Sequence, residues 1–444
     1  MKILFVEIDT DRDWAVASLG PAFLAAIVRK MGHEATLFRV PVDMPLEEAL
    51  AGLRDRTPDL IGMSMTTRQW QRGRQVANAI RPFGIPIIAG GLHATFAPEA
   101  VLKEPGFDAV CLGEGEVPFA ALVTHLAAGH DIADAAIQNI WLKGGTHPGL
   151  GPPIPEIDDI PFMARDMLDE RWGFANMSTQ RGCPFPCTYC AARMYDELYE
   201  GIGKYGRRRS HESVFRELEE IRASENGLSY VLFLDDTFTI NHPWVFEFCR
   251  TFPERIGVPF SIHARVETMN PKLIDALAGA GCRHIVYGVE SGSERVRREV
   301  MKRPVKNDRL VEIFERTKET GIIVTANYMM GLPGETVEDM RETIALHRRL
   351  KPYDFGYFVF YPFPGTQLFH VCKQKGYLPE DWHDQEVRLD QTVLDLPDLP
   401  KEAIAETYRE WTRIREEDTA ARDAEAAKIA EQAMRDANPA MAAC

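Results

Sequence analysis

The stretch Ser178-Thr179-Gln180-Arg181-Gly182-Cys183-Pro184-Phe185-Pro186-Cys187-Thr188-Tyr189-Cys190 holds three of the chain's eight cysteines. Their spacing, C-x3-C-x2-C, gathers three thiols in one tight loop with no fourth nearby. Iron–sulfur clusters take thiolate ligands, and a cubane held by three leaves one iron open to a ligand from outside the protein. A zinc site would want a fourth Cys or a His at ligand spacing; the first His after the trio is the distant His211. Pro184 and Pro186 stiffen the loop and remove backbone donors. Cys111, Cys249, Cys282 and Cys372 stand in apolar or helical contexts and read as buried small hydrophobes, and Cys444 is terminal and incidental. A disulfide framework would spread its cysteines through a small secreted chain, so the trio points to a metal in a reducing cytoplasm.

Outward from this loop, strand-length apolar runs alternate with amphipathic helical stretches in both directions. Upstream, Ile3–Ile8, Ala35–Val40, Leu60–Met65, Pro86–Ala89 and Ala109–Leu112 read as strands. The pattern predicts an α/β, doubly wound parallel sheet over residues 1–140, with its ligand at the carboxyl ends of the strands. Those ends carry Ser64 to Trp70, including Thr66 and Thr67, then Gly90-Gly91-Leu92-His93, then Gly113-Glu114-Gly115-Glu116. Glycines there let backbone approach a bulky ligand and hydroxyls bond its polar rim; each glycine would also serve as a simple βα turn. No G-x-G-x-x-G follows the first strand, so the dinucleotide fingerprint is missing.

Downstream of a linker at 141–170, six more units follow over residues 171–390. Their strands are Ala175–Thr179, Val231–Leu234, Phe260–His263, Ile285–Val289, Ile323–Met329 and Tyr357–Tyr361. Polar residues mark the strand ends. Asp235 and Asp236 can accept from a ligand ammonium or cap a helix. Arg265 and Glu267 alternate to one face, where Arg265 can fork a carboxylate. Glu290 and Ser291 can bond ligand hydroxyls, and Asn327 opens a run ending in Gly331-Leu332-Pro333-Gly334-Glu335-Thr336. Lys204, Arg207, Arg208 and Arg209 form the one basic cluster, suited to a phosphate or to a solvated loop. Residues 391–444 are rich in Ala, Glu and Arg, with Ile404, Tyr408, Trp411 and Ile414 on one helical stripe. That stripe is expected to pack on the open side of the second domain or over its site.

Composition sets outer limits. The chain has 444 residues, enough for two or three domains. Its net charge is −15, the wrong sign for holding nucleic acid through phosphates. The apolar runs are far too short to span a bilayer, and Glu7 and Asp9 break any signal-peptide core.

The cysteine loop resembles the signature of the radical S-adenosylmethionine (SAM) superfamily, C-x3-C-x-aromatic-C, with Tyr189 at the aromatic position. The resemblance implies a partial (β/α)6 barrel of TIM type in which Cys183, Cys187 and Cys190 hold a [4Fe-4S] cluster. SAM would chelate the open iron and be cleaved reductively to a 5′-deoxyadenosyl radical. Gly90-Gly91-Leu92-His93, Gly113-Glu114-Gly115-Glu116 and Arg181-Gly182-Cys183-Pro184 are similar to the subclass of the anaerobic magnesium-protoporphyrin ester cyclase, whose first domain, Rossmann-like, binds cobalamin. On that resemblance Tyr189, Asp235, Arg265, Glu290, Ser291 and Asn327 face SAM. Thr66, Thr67, Gly90, Gly91, His93, Gly113, Glu114, Gly115 and Glu116 would face cobalamin. No D-x-H-x-x-G occurs; the segment after the first strand reads Asp9-Thr10-Asp11-Arg12-Asp13-Trp14, which argues against a histidine-ligated cobalt and leaves Met65 to Trp70 on its lower face.

The implied activity is methylation of an unactivated carbon of a small-molecule or lipid-like metabolite, fed by a reductant such as flavodoxin or ferredoxin. Oxidative cyclisation or ring rearrangement on the same scaffold is the alternative. A tRNA methylthiotransferase would need three more N-terminal cluster cysteines and a basic tail, and a non-enzymatic cobalamin carrier would need no cysteine trio.

Overall fold

The computed structural model describes residues 1–9, 19–382, 384–385 and 388–437; Thr10 to Trp14 and Cys444 lie outside them. The N-terminal sheet is built from β1 (Lys2–Ile8), β2 (Glu34–Val40), β3 (Leu60–Ser64), β4 (Ile87–Gly90), β5 (Ala109–Cys111) and β6 (Ile140–Leu142) in the order β2-β1-β3-β4-β5-β6. All pairs are parallel except β5 with β6. Every β1 residue after Lys2 is buried, because helices cover both faces and leave no side for polar residues. The order reverses between β1 and β3, so the switch point of this doubly wound sheet lies beside the turn after Ser64. The antiparallel β6 falls where the sequence reading begins a linker. Three residues beside Gly144 and Gly145 are too few for periodicity to reveal a strand.

The second sheet comprises β7 (Phe174–Met177), then, after a ribbon of β8 (Gln180–Arg181) and β9 (Arg207–Arg208), β10 (Tyr230–Phe233), β11 (Phe260–Ala264), β12 (Cys282–Glu290), β13 (Ile323–Met330) and β14 (Asp354–Val359). Its order is β14-β13-β12-β11-β10-β7, all parallel. Edge strands β7 and β14 do not pair with each other, which makes this the expected partial barrel rather than a closed one. The outward face of the strands packs on the helices through an aromatic cluster of Phe215, Phe233, Phe248, Phe252 and Phe260. The inward positions Ser261, His263, Thr325 and Asn327 are polar.

The helix Lys401–Ala437 supplies the last piece of the outer layer. Its stripe packs against β13, β14 and the helix Val337–Leu350: Trp411 stacks on Tyr328 at 4.9 Å and lies edge-on to His347 at 5.1 Å. The stripe therefore covers the outer face of the sheet's open edge and reaches the ends of β13 and β14, where Ile404 lies beside Gly331. Among the described residues no helix is long and apolar enough to cross a membrane.

Candidate active site

β7 leads straight into the cysteine loop, and the turn between them is organised by Asp235. Its carboxylate accepts from Thr179 N (2.7 Å), Thr179 Oγ1 (2.7 Å) and Gln180 N (3.0 Å). Asp235 is thereby spent on the backbone of the chain leading to Cys183, and it is not open to a ligand. Its neighbour Asp236 stands close enough to Cys183 and Cys190 to act on their ionisation. Burial of its carboxyl and the adjacent Asp235 push Asp236 up to about 6. The sequence offers two adjacent carboxylates; only the fold separates the tether from the free one.

The three thiols are near enough for Cys183 and Cys187 to act on the ionisation of Cys190. Burial pushes Cys190 up to about 12 and also raises Cys183, so thiolates here need a metal or a cationic partner. One partner is in place: Arg265 donates to Cys187 Sγ at 2.9 Å, with its guanidinium 4.0 Å from the centre of the Phe185 ring. Arg265 thus leans on the cysteine loop and on Glu267 (2.6 Å), rather than standing open to a carboxylate. Among the described residues no three His, Cys, Asp or Glu side chains converge on a single-ion site.

At the end of β12, Glu290 adopts φ +70°, a conformation that non-glycine residues hold only when the surroundings impose it. The backbone turns there through a Ser291 N–H to Val289 O bond of 2.9 Å, and Arg303, buried, holds the side chain, donating to Glu290 at 3.0 Å and to Glu267 at 2.8 Å. Tyr189 bonds the same carboxylate. Burial raises the Glu290 carboxyl, and the Arg303 and Arg265 charges pull against that rise. Arg303 lies outside every motif, and only its position two residues after Met301 in a basic run hints at it. Ser291 turns the other way: it is fully buried against Thr343 (3.3 Å) and takes no part in the open face. Asn327 lies level with Gly288 and Gly356 on the inward face, and a Cβ at Gly356 would stand 2.6 Å from its Oδ1, so Gly356 makes room for it.

The N-terminal domain presents a cavity of about 290 Å³ at its strand ends. It runs from Ser64, Gly90, Gly113 and Gly115 down the sheet face to Gly62 and Phe5. A Cβ at Gly90 would meet nothing within 4 Å, so that backbone is open to a ligand. Gly91 has φ +84° and Gly113 φ +70°; a Cβ at Gly113 would stand 2.1 Å from Tyr199 Oη. His93 does not reach the cavity. The residues after Gly90 form a short helix, Gly91–Phe96, that turns His93 into the core, where it stacks on Trp70 at 4.5 Å and bonds Thr67 at 3.2 Å. Burial lowers its pKa to about 4, so it is neutral. Thr66 caps the helix Thr67–Ile80, and Met65 and Trp70 are buried. Of that turn Ser64, one residue upstream, lines the cavity.

Glu114 and Glu116 line it too, with their charges already taken. Arg181, two residues before Cys183, pairs with both, at 2.9 Å to Glu114, and Arg207 also pairs with Glu114. Arg208 bonds Gln180 and Phe238 O, and Arg209 pairs with Glu217 at 2.5 Å. The basic cluster is thus neither a phosphate site nor a solvated loop, apart from exposed Lys204.

Residues 177–347 match the radical SAM superfamily and residues 15–123 match the B12 binding domain. The chain carries a radical SAM domain preceded by a B12 binding domain. It is an enzyme, and its cofactors are a [4Fe-4S] cluster, SAM and cobalamin. An uncharacterised methyltransferase of Pyrococcus horikoshii is 29% identical over 368 residues, 80% of this chain and 78% of the relative. Cytidylyl-2-hydroxyethylphosphonate methyltransferase of Streptomyces wedmorensis is 25% identical over 465 residues, covering 89% and 85%. The anaerobic magnesium-protoporphyrin IX monomethyl ester cyclase of Rubrivivax gelatinosus is 26% identical over 379 residues, covering 80% and 66%. The fold is shared with the radical SAM methyltransferase TsrM from Kitasatospora setae at TM-score 0.66 and 19% identity, over 85% of this chain and 75% of that one. The residues present fit these cofactors: a thiol trio with a cationic donor on one sulfur, and an apolar cavity whose glycine rim leaves space.

Proposed function

We propose that this enzyme is a cobalamin-dependent radical SAM methyltransferase acting on an unactivated carbon of a small molecule. One observation carries the reading: the cavity of the B12 binding domain is walled on its far side by Ser178, Arg181, Tyr195 and Tyr205, which flank the cysteine loop. Two cofactor sites with a common wall suit passage of a group between their ligands. When bound, the cluster with SAM supplies a hydrogen-abstracting radical, and cobalamin supplies a transferable methyl group.

The protein's part is to hold and orient. Cys183, Cys187 and Cys190 anchor the cluster, and Arg265 fixes the Cys187 sulfur. Glu290, held by Arg303 and Tyr189, is the acceptor for ribose hydroxyls, and Asn327 projects beside it. Asp236, in place of Asp235, takes the SAM ammonium. Ser64, Gly90, Gly91, Gly113 and Gly115 form the cobalamin side. Methyltransferase names among the relatives support transfer, while the cyclase relationship supports oxidative cyclisation on the same residues as the second reading.

The deciding experiment is anaerobic incubation of the reconstituted enzyme with methyl-labelled SAM, cobalamin and reductant. Label should accumulate on cobalamin alongside 5′-deoxyadenosine. Deoxyadenosine without label on cobalamin would replace transfer by cyclisation.

The two aspartates separate cleanly. Asp236→Asn should keep full iron content and weaken SAM binding by about tenfold, the loss of one charge-assisted hydrogen bond. Asp235→Asn should lower iron content itself, because Thr179 and Gln180 N–H groups lose their shared acceptor. Iron analysis and SAM titration on both variants check this.

A further inference from the structure

Between the cavity and the cysteine loop stands a column of three tyrosines. Tyr195 lies in the helix Ala191–Leu198 that follows Cys190, Tyr199 ends that helix, and Tyr205 leads into β9. Tyr205 is the middle ring: it stacks on Tyr195 at 4.7 Å and 14°, and on Tyr199 at 5.7 Å and 6°. The Arg207 guanidinium stands 5.6 Å from its centre. A Cβ at Gly182, the residue before Cys183, would stand 3.0 Å from the same ring. The ring is thus held by its neighbours and packs against the chain one residue from a cluster ligand.

The three hydroxyls differ in what they do. Tyr199 Oη accepts from Glu114 N at 2.7 Å, and Tyr195 bonds Thr95. Tyr205 lines the cavity, yet among the described residues its Oη has no hydrogen-bond partner. Elsewhere on the cavity wall the polar side chains are engaged: Arg181 and Arg207 meet Glu114 and Glu116, and Ser178 Oγ donates to Gln180 O at 2.9 Å. Ser64 on the sheet wall and Tyr205 on the wall opposite are the hydroxyls left without a protein partner among the described residues. Stacking accounts for the Tyr205 ring but not for its hydroxyl, since a phenol taken out of bulk water ordinarily finds a partner. Burial pushes this phenol well above its ordinary range, so it stays protonated and donates.

We propose that Tyr205 is a cobalamin-binding residue contributed by the radical SAM domain, its hydroxyl donating to an amide carbonyl on the edge of the corrin ring. The proposal rests on cobalamin occupying this cavity and adds the residue by which the cysteine-loop side holds it. The deep end of the cavity, at Phe5 and Gly62, is apolar. Tyr205 belongs to the other end, where its stacking partner Tyr199 meets Gly113 and Glu114 at the rim. The part of the ligand it meets is therefore the edge of the macrocycle, whose acetamide and propionamide arms carry carbonyl acceptors. A neutral donor suits a neutral amide. Because the same ring packs against Gly182, cobalamin held by Tyr205 is set in register with the cysteine loop, as transfer between two cofactor sites requires.

The test is anaerobic titration of the reconstituted enzyme with hydroxocobalamin and, separately, with hydroxocobinamide, which keeps the corrin amides and lacks the nucleotide tail. Tyr205→Phe keeps the stacked ring and removes the hydroxyl alone. Its affinity should fall by about fivefold for both ligands, the loss of one neutral hydrogen bond, with iron content and [4Fe-4S] absorbance at wild-type levels. Tyr195→Phe is the control: its hydroxyl is already bonded to Thr95, so affinity should stay within about twofold of wild type. Unchanged affinity in Tyr205→Phe would overturn the proposal. So would an equal fall in Tyr195→Phe, which would mark a loosened column, or loss of iron in Tyr205→Phe, which would tie the hydroxyl to the cysteine loop instead. A fall seen with hydroxocobalamin and absent with hydroxocobinamide would move the contact to the nucleotide tail and overturn the corrin carbonyl as acceptor. Failure of wild type to bind either ligand would remove cobalamin from the cavity, and the methyl-transfer reading would fall with it.

Discussion

Cys187→Ala is expected to abolish [4Fe-4S] absorbance and all 5′-deoxyadenosine formation after anaerobic reconstitution. Two thiolates remain, too few to hold a cubane with an open iron. The variant also strips Arg265 of its sulfur partner at 2.9 Å, and Arg265 is itself buried with its Nε unpartnered. Its Nη1 then loses its acceptor, while Nη2 keeps Glu267, so the loop carries the cost of one unsatisfied buried donor. The control is Cys282→Ala. Cys282 is fully buried on β12, and its thiol, pushed well above its ordinary range by burial, is inert as a ligand. That variant should lose stability by about 1 kcal/mol for the small cavity and keep its iron. Iron retained in Cys187→Ala at the wild-type level would sink the cluster assignment.

The second large effect is expected from Arg181→Ala. Arg181 neutralises Glu114 and Glu116, whose side chains are 8% and 7% exposed. Removing one member of a buried ion pair costs about 3–5 kcal/mol, because the other charge is left without compensation. Arg207 still reaches Glu114, so Glu116 is the one stranded. Thermal unfolding should fall by several degrees, and cobalamin affinity should drop by about tenfold, since both carboxylates line the cavity. Iron content should hold.

Acid should narrow the gap between the two proteins. Burial alone would raise the Glu114 carboxyl, but the Arg207 hydrogen bond and the Arg181 and Arg207 charges outweigh it and hold Glu114 below its usual range. A carboxylate depressed in the folded state contributes fully above its unfolded pKa, and the contribution is lost as pH falls through the folded pKa. The stability difference between wild type and Arg181→Ala is therefore full at neutral pH and shrinks in acid. A pH series of unfolding midpoints reads this directly, and a difference that grows in acid would contradict the pairing of Arg181 with these carboxylates.

Several features were legible because they are local. The spacing of Cys183, Cys187 and Cys190 states its chemistry within one loop, and strands buried on both faces announce parallel sheets as apolar runs. β14 shows the limit of that signal: it begins at Asp354, three residues before the sequence reading starts it, because Asp354 and Gly356 are poor strand formers. His93 lies elsewhere than its motif suggests for a related reason. Gly90-Gly91 reads as a ligand loop, and only the helical turn Gly91–Phe96 shows that the imidazole points into the core.

By itself the sequence determined the two-sheet architecture, the thiol trio and the glycine turns that rim the cavity, all written in periods and spacings of a few residues. The tertiary structure alone decided which charged groups are already spent. Asp235 is committed to Thr179, 56 positions away, and Arg207 to Glu114, 93 positions away. Such pairings depend on where distant strand ends meet, and no local pattern encodes them. In the same way Glu114 and Glu116 line the cavity with their charges already met by Arg181 and Arg207.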